Sequence, residues 1–548
     1  MGGATIAASL AAGASASAKP GGNVGKAESK ALKALSAYAD AHRADWGIPG
    51  MTVAVVTRDG FEGFVTSGLA DVDKKIAVGP DHLFQIGSIS KMFTALAAYS
   101  LMDEGKLSPD VRLKDALKGV SVRGGETIAL QHLLNHTSGL PADSTIFPEG
   151  GLWTGFAPGT SWSYSNSGYD LAGKIASAAD GRLYGEMIKA RVLDKLGMSA
   201  TRADMRVADR HLYAQGYEQA LTDRLNPHPS RMTATPWVDS DSPAGCIAAT
   251  AGDMAKFLRF LLDLADGKGA PLFSDETAAK FLADPAEGWG PGAHYGNGVA
   301  RIEVDGRKYL HHTGGMVSFC SALHVDAAAG VAAFASCNIH YSLNYRPVRV
   351  TTYACELMRA IREDLPAPAP KPTSIALDKP EHYAGVFTAA DGDAFETLVS
   401  GGKLALNRKG RTSELQQASG ALFASTDEDF AIMGVLIESA DGRAARAWIG
   451  EKEYLVDPSV GFKPPASDAL RALAGRYDND DRWAGPLYVY ARDNQLFIGN
   501  AEPLTSIGPN EYRLGDATSP ERVRFDGYIN GRPHLLLFSG TPFVRRFS

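Results

Sequence analysis

At 548 residues the chain has room for roughly three or four domains of about 150 residues each. Its 45% hydrophobic and 21% charged residues exclude a disordered chain, and a net charge of −7 without a basic block argues against a nucleic-acid partner. No apolar run is long enough to span a bilayer, and Cys246, Cys320, Cys337 and Cys355 lack the spacing of a zinc site or a disulfide scaffold.

Residues 1–26 read as a leader or disordered tail. Small apolar residues run to Ala16-Ser17-Ala18, which resembles a signal-peptidase site ahead of Lys19, although no Lys or Arg comes earlier. A periplasmic or secreted location is the expectation, with a cytoplasmic one left open. From Ala27, the spacing of Leu32, Leu35, Tyr38 and Ala39 predicts a helix. The β-branched run Gly50–Thr57 then predicts a strand, closed by the turn Arg58-Asp59-Gly60. Helical and strand patterns alternate irregularly to Arg362, which predicts helices packed on an antiparallel sheet rather than regular βαβ units. Residues 27–364 are therefore expected to form one domain.

Alternating prolines make residues 365–373 a semi-rigid linker. Beyond it, short β-like runs sit between Gly, Asp and Asn turns. Tyr383-Ala384-Gly385-Val386-Phe387 aligns with Leu473-Ala474-Gly475-Arg476-Tyr477, and Asp378 with Asp468, at one constant offset. Two small antiparallel β-barrel domains, 374–463 and 464–548, are the expectation, with Lys463-Pro464-Pro465 at their boundary.

Three motifs carry chemistry. In Gly87-Ser88-Ile89-Ser90-Lys91, Ser88 stands at the start of an apolar helix, where free backbone N–H groups favour a developing anion. Lys91 lies three residues on, so its amine can fold back beside the hydroxyl, and burial would make it neutral enough to act as a base. The bland alternative is an ordinary helix cap. Ser400-Gly401-Gly402-Lys403 has the same spacing, but its double glycine predicts a hairpin turn.

Tyr164-Ser165-Asn166 lies in a polar loop before an apolar helix and can bring a phenol and an amide to the nucleophile. Tyr-x-Asn also occurs at Tyr295, Tyr477 and Tyr528, so the setting rather than the pattern selects Tyr164. His311-His312-Thr313-Gly314-Gly315 links two strand-like runs, and a small-residue edge there lets a substrate backbone pair closely. The alternative is an exposed histidine pair at a strand end. No metal or other cofactor is expected, since no further ligands follow at metal spacing.

In this order the three motifs resemble the penicillin-recognising serine hydrolases, also called the serine β-lactamase and penicillin-binding-protein-like hydrolases. Within them the chain resembles the branch with class C β-lactamases, D-alanyl-D-alanine carboxypeptidases, D-aminopeptidases, related esterases and a linearised-microcystin peptidase. Leu133-Leu134-Asn135-His136-Thr137-Ser138-Gly139-Leu140-Pro141 and Pro243-Ala244-Gly245-Cys246-Ile247-Ala248-Ala249-Thr250 add matching texture. The resemblance implies an α/β (α+β) β-lactamase/transpeptidase-like catalytic domain, with an antiparallel sheet between helices.

It further implies Ser88 as the acylated nucleophile, with Lys91 and Tyr164 sharing proton transfer. Asn166, His312, Thr313 and Gly314 would contact substrate, the N–H groups of Ser88 and Gly315 would form the oxyanion hole, and His136 would be structural. His312 stands where β-lactamases carry lysine, which disfavours a dedicated β-lactamase. The expected activity is a serine peptidase or amidase acting on a small peptide with D- or unusual residues, linearised microcystin being one candidate. An esterase and a non-catalytic binding or sensor protein are the alternatives. Oligomeric state is left open.

Overall fold

The computed structural model describes residues 15–18, 25–145, 151–220, 225, 232–283, 285–340, 345–373, 376–425, 434–481, 484–499 and 502–546. Most of the expected leader, 1–14 and 19–24, lies outside these. Nine strands make the main sheet: Ser15–Ala18 (β1), Gly50–Thr57 (β2), Glu62–Asp71 (β3), Ala286–Glu287 (β4), His294–Gly296 (β5), Val299–Val304 (β6), Arg307–Met316 (β7), Phe319–Asp326 (β8) and Val331–Cys337 (β9). Their order is β1-β3-β2-β9-β8-β7-β6-β5-β4, antiparallel throughout, and Ile76–Ala77 pairs with β3 off this path. The residues read as a cleavage site thus lie within an edge strand paired to β3.

Burial follows from position in the sheet. β2, β8 and β9 lie inside it and are buried at every residue, which explains their continuous apolar runs. Helices cover both faces. Lys26–Asp45 (α1) and Val348–Arg362 (α5) pack together, α5 lying on β8 and β9, while Ala251–Ala265 (α4) packs on β2 and β9. Ser90–Asp103 (α2) contacts Asn166–Asp180 (α3), and α2 is buried nearly all round, as expected of a helix apolar on every side.

The chain divides into two units. The first comprises Met1–Glu218, Ser230–His340 and Asn344–Thr373; the second comprises Gln219–Pro229, Tyr341–Leu343 and Ser374–Ser548.

The second unit contains two closed barrels of eight antiparallel strands, one running from Gly385–Ala389 to Lys452–Leu455 and the other from Gly475–Asp478 to Thr541–Arg545. The aligned residues are structurally equivalent: Gly385 and Gly475 open the first strands, and Phe387 and Tyr477 are fully buried in the two cores. Arg492 joins the barrels, donating from Nε to the Gly450 carbonyl at 2.6 Å while its guanidinium lies over the Trp448 and Tyr490 rings. Gly401 and Gly402, both with positive φ, turn the hairpin that disqualifies Ser400 and Lys403.

Candidate active site

Ser88 lies in a 3₁₀ turn, Gly87–Ile89, that runs straight into α2. Between Leu83 and Leu101 it is the one residue not fully buried. The segment Pro243 to Thr250 pins this turn. Ile86 N–H donates to Ile247 O at 2.9 Å, and Ile247 N–H donates to Ser90 Oγ at 3.1 Å. Gly87, at φ 56°, must be glycine, because a Cβ there would lie 2.6 Å from the Gly315 nitrogen. That closeness sets the Gly315 N–H beside the turn that carries Ser88.

Lys91 is completely buried, and its Nζ has three neighbours: Asn166 Oδ1 at 2.6 Å, Ala244 O at 2.8 Å and Ser88 Oγ at 3.1 Å. The first two can only accept. A neutral amine has two N–H bonds and one lone pair, so it satisfies both acceptors and leaves the lone pair facing the Ser88 hydroxyl. Burial lowers its pKa from 10.5 to about 7, against the opposing charges of Asp170 and Asp143. Near neutral pH, Lys91 can take the Ser88 proton.

Tyr164 sits across from this pair, with its ring centroid 4.9 Å from Lys91 Nζ. Burial pushes its phenol pKa upward, and the hydrogen-bonding neighbour Ser88 offsets only part of that. Tyr164 therefore keeps its proton, suited to donating it rather than serving as the resting base. Its loop is held by the Leu133–Pro141 texture: Ser165 N–H donates to His136 Nδ1 at 3.1 Å, Ser165 Oγ donates to Pro141 O at 2.6 Å, and the His136 ring lies 4.2 Å from that of Tyr164. Asn166, the first residue of α3, gives Oδ1 to Lys91 and donates from Nδ2 to Asp143 at 2.8 Å.

The His-Thr-Gly segment is not a link between strands but the last part of β7, which continues to Met316. Pairing with β6 ends at Ala300–His311, whereas pairing with β8 runs to Met316–Phe319. Thr313 and Gly315 keep some exposed surface. His312 and Gly314, the other two residues expected to contact substrate, are buried. His312 is enclosed, with Nε2 3.0 Å from the Tyr295 hydroxyl and Nδ1 2.6 Å from Thr313 O, and burial holds it neutral. A Cβ on Gly314 would collide with the Ile86 carbonyl oxygen, so this glycine lets the strand approach the nucleophile turn. His311 and His312 are both buried, on opposite faces of β7: the His311 ring lies 4.2 Å from that of His324, beneath α5.

Two residues join the site without having been singled out. Arg346 packs its guanidinium against the Gly315 Cα, close enough to Tyr164 to interact electrostatically, and no carboxylate pairs with it among the described residues. Trp289 stacks on Tyr295 and adjoins Tyr164 and His312. Neither belongs to a local motif; each reaches the site from a distant loop. Among the described residues no three His, Cys, Asp or Glu side chains group as around a metal ion, and no helix is long and apolar enough to cross a membrane.

A serine at a helix start, a buried lysine one turn on and a glycine-bearing strand beside them define a serine hydrolase of the β-lactamase and penicillin-binding type. The Beta-lactamase family model matches residues 35–356, and the chain belongs to that family. It is 30% identical to penicillin-binding protein 4 of Amycolatopsis lactamdurans over 54% of this chain and 82% of that protein. It is 36% identical to a β-lactamase of Pseudomonas fluorescens over 32% of this chain and 51% of that one. An unguisins hydrolase of Aspergillus campestris is 27% identical over 55% of this chain and 60% of its own length. The fold is shared with the octameric penicillin-binding protein homologue of Pyrococcus abyssi, at TM-score 0.55 and 21% identity, covering 77% of this chain and 99% of that one.

Proposed function

We propose that this hydrolase is a peptidase or amidase that forms an acyl-enzyme at Ser88 on small peptides containing D- or otherwise unusual residues. The observation that carries the reading is the placement of the buried Lys91 amine 3.1 Å from Ser88 Oγ, where its neutral form satisfies Asn166 Oδ1 and Ala244 O with its two N–H groups and keeps a lone pair for the hydroxyl proton. In this mechanism Lys91 Nζ accepts the hydroxyl proton as Ser88 Oγ bonds to the scissile carbonyl carbon. The negative oxygen settles on the N–H groups of Ser88 and Gly315. Tyr164 gives its proton to the departing nitrogen and regains one from the Lys91 ammonium. Water then repeats the sequence on the acyl carbon, releasing the acid and freeing Ser88.

A neutral, enclosed His312 supplies no cation to an antibiotic's carboxylate. Arg346 brings the positive charge beside Gly315 and suits a substrate with a carboxylate on that side, such as a peptide C-terminus. Similarity to relatives named as unguisins hydrolases supports a substrate other than a β-lactam. A linearised microcystin remains one candidate peptide, and a periplasmic or secreted setting the proposed location. The test is a library of D- and L-containing peptides read by mass spectrometry, alongside matched p-nitrophenyl esters. Turnover of peptides with one defined scissile bond is expected; hydrolysis of the esters alone would replace this reading with an esterase.

A further inference from the structure

Trp289 occupies the hairpin turn between β4 and β5 with φ of 78°. Bulky residues rarely adopt that left-handed region, and they are held there only where the surroundings impose it. Two contacts impose it here. Gly288 lies so close to the Trp162 indole that a Cβ would collide with it, and Gly288 N–H donates to Ala293 O at 3.0 Å to close the turn. The Trp289 indole then stacks on Tyr295 at 5.4 Å and 14°, and its centroid lies 4.8 Å from that of His312 and 5.8 Å from that of Tyr164. Trp289 nevertheless remains partly exposed. A strained backbone thus presents a flat apolar ring to solvent at the margin of the catalytic group.

We propose that the Trp289 indole binds an aromatic or large apolar side chain on the leaving-group side of the scissile bond. This rests on the acyl-enzyme reading above and names the substrate class for the same site. The side follows from Tyr164. A group that protonates the departing nitrogen must lie next to it, so a ring packed on Tyr164 borders the departing residue. Lys91 and Asn166, by contrast, take Ala244 and Asp143 as hydrogen-bond partners, and Trp289 is not among them. A flat aromatic face stacks with aromatic groups and buries aliphatic ones, whereas a single methyl group covers little of it. With Arg346 beside Gly315, the departing residue suited to this margin carries both a bulky side chain and a carboxylate.

The experiment uses the full chain and two peptide series. In one, the acyl residue is constant and the C-terminal leaving residue is Phe or Ala; in the other, the leaving residue is constant and the acyl residue varies. Wild-type kcat/KM should favour Phe over Ala as the leaving residue. Trp289→Ala should lower that preference roughly tenfold, Trp289→Phe should retain most of it, and the acyl preference should not move. Because only ratios within one variant are compared, a partly unfolded fraction cancels. An unchanged leaving-residue ratio, or an equal fall in both series, would overturn the Trp289 assignment alone. Hydrolysis that persists in Ser88→Ala would instead overturn the acyl-enzyme reading beneath it.

Discussion

Replacing Asn166 by Asp exchanges the neutral amide oxygen 2.6 Å from Lys91 Nζ for a carboxylate oxygen. At that separation an opposite unit-charge pair is worth about 1.6 kcal/mol in bulk water and about 6 kcal/mol at an effective dielectric of 20. Even the lower figure exceeds the 1.36 kcal/mol equivalent to one pKa unit. Lys91, at about 7 in the native protein, should move to about 8 or higher and be charged at neutral pH. A charged amine has no lone pair for the Ser88 proton. The acidic limb of kcat/KM against pH, which reports the free enzyme, should therefore rise from near 7 by at least about one unit. Asn166→Ala is the control, since it removes the amide without adding charge and should leave the limb at or below its native position. Both substitutions will lower the rate, so the limb's position is the readout. An unshifted limb in Asn166→Asp would refute Lys91 as the base.

Lys91→Ala and Tyr164→Phe should each lower kcat by orders of magnitude, and the double variant by little more, because parts of one proton relay are not additive; multiplying losses in steady-state assays would contradict the relay. Gly314→Ala should displace the Ile86 carbonyl and with it the Ser88 turn, lowering both turnover and the melting temperature, as calorimetry can check. Burial lowers the His311 pKa from 6.5 to about 4, so the unfolded chain binds the proton first and stability is lost as pH falls from 6.5 through 4. In that window His311→Gln should reduce the pH slope of urea-unfolding stability by about 1.4 kcal/mol per pH unit, and an unaltered slope would count against this source of acid lability.

The nucleophile motif is readable in the sequence because it is local. Ser88 and Lys91 are one helical turn apart, so their meeting requires only that the helix form. Tyr164 is less readable, since four Tyr-x-Asn matches compete and only tertiary packing separates them. Tyr295, another of the four, also lies in the site, where its hydroxyl meets His312 and its ring carries Trp289. For the His-Thr-Gly stretch the alternative of an exposed histidine pair at a strand end fails, because β7 runs through it and alternation places His311 and His312 on opposite buried faces. Arg346 and Trp289 were illegible because nothing near them in sequence states what they pack against. The barrels were legible as a repeated strand-opening pentapeptide, since Gly385 and Gly475, with Phe387 and Tyr477 two residues on, do the same work in each.

Acylation of Ser88 is tested most directly by intact-protein and peptide mass spectrometry after treatment with a fluorophosphonate. One adduct per chain, mapped to the peptide containing Ser88, absent from Ser88→Ala and accompanied by complete loss of hydrolysis in that folded variant, is the predicted result. An adduct on another residue, or a Ser88→Ala protein that still turns over substrate, would contradict it.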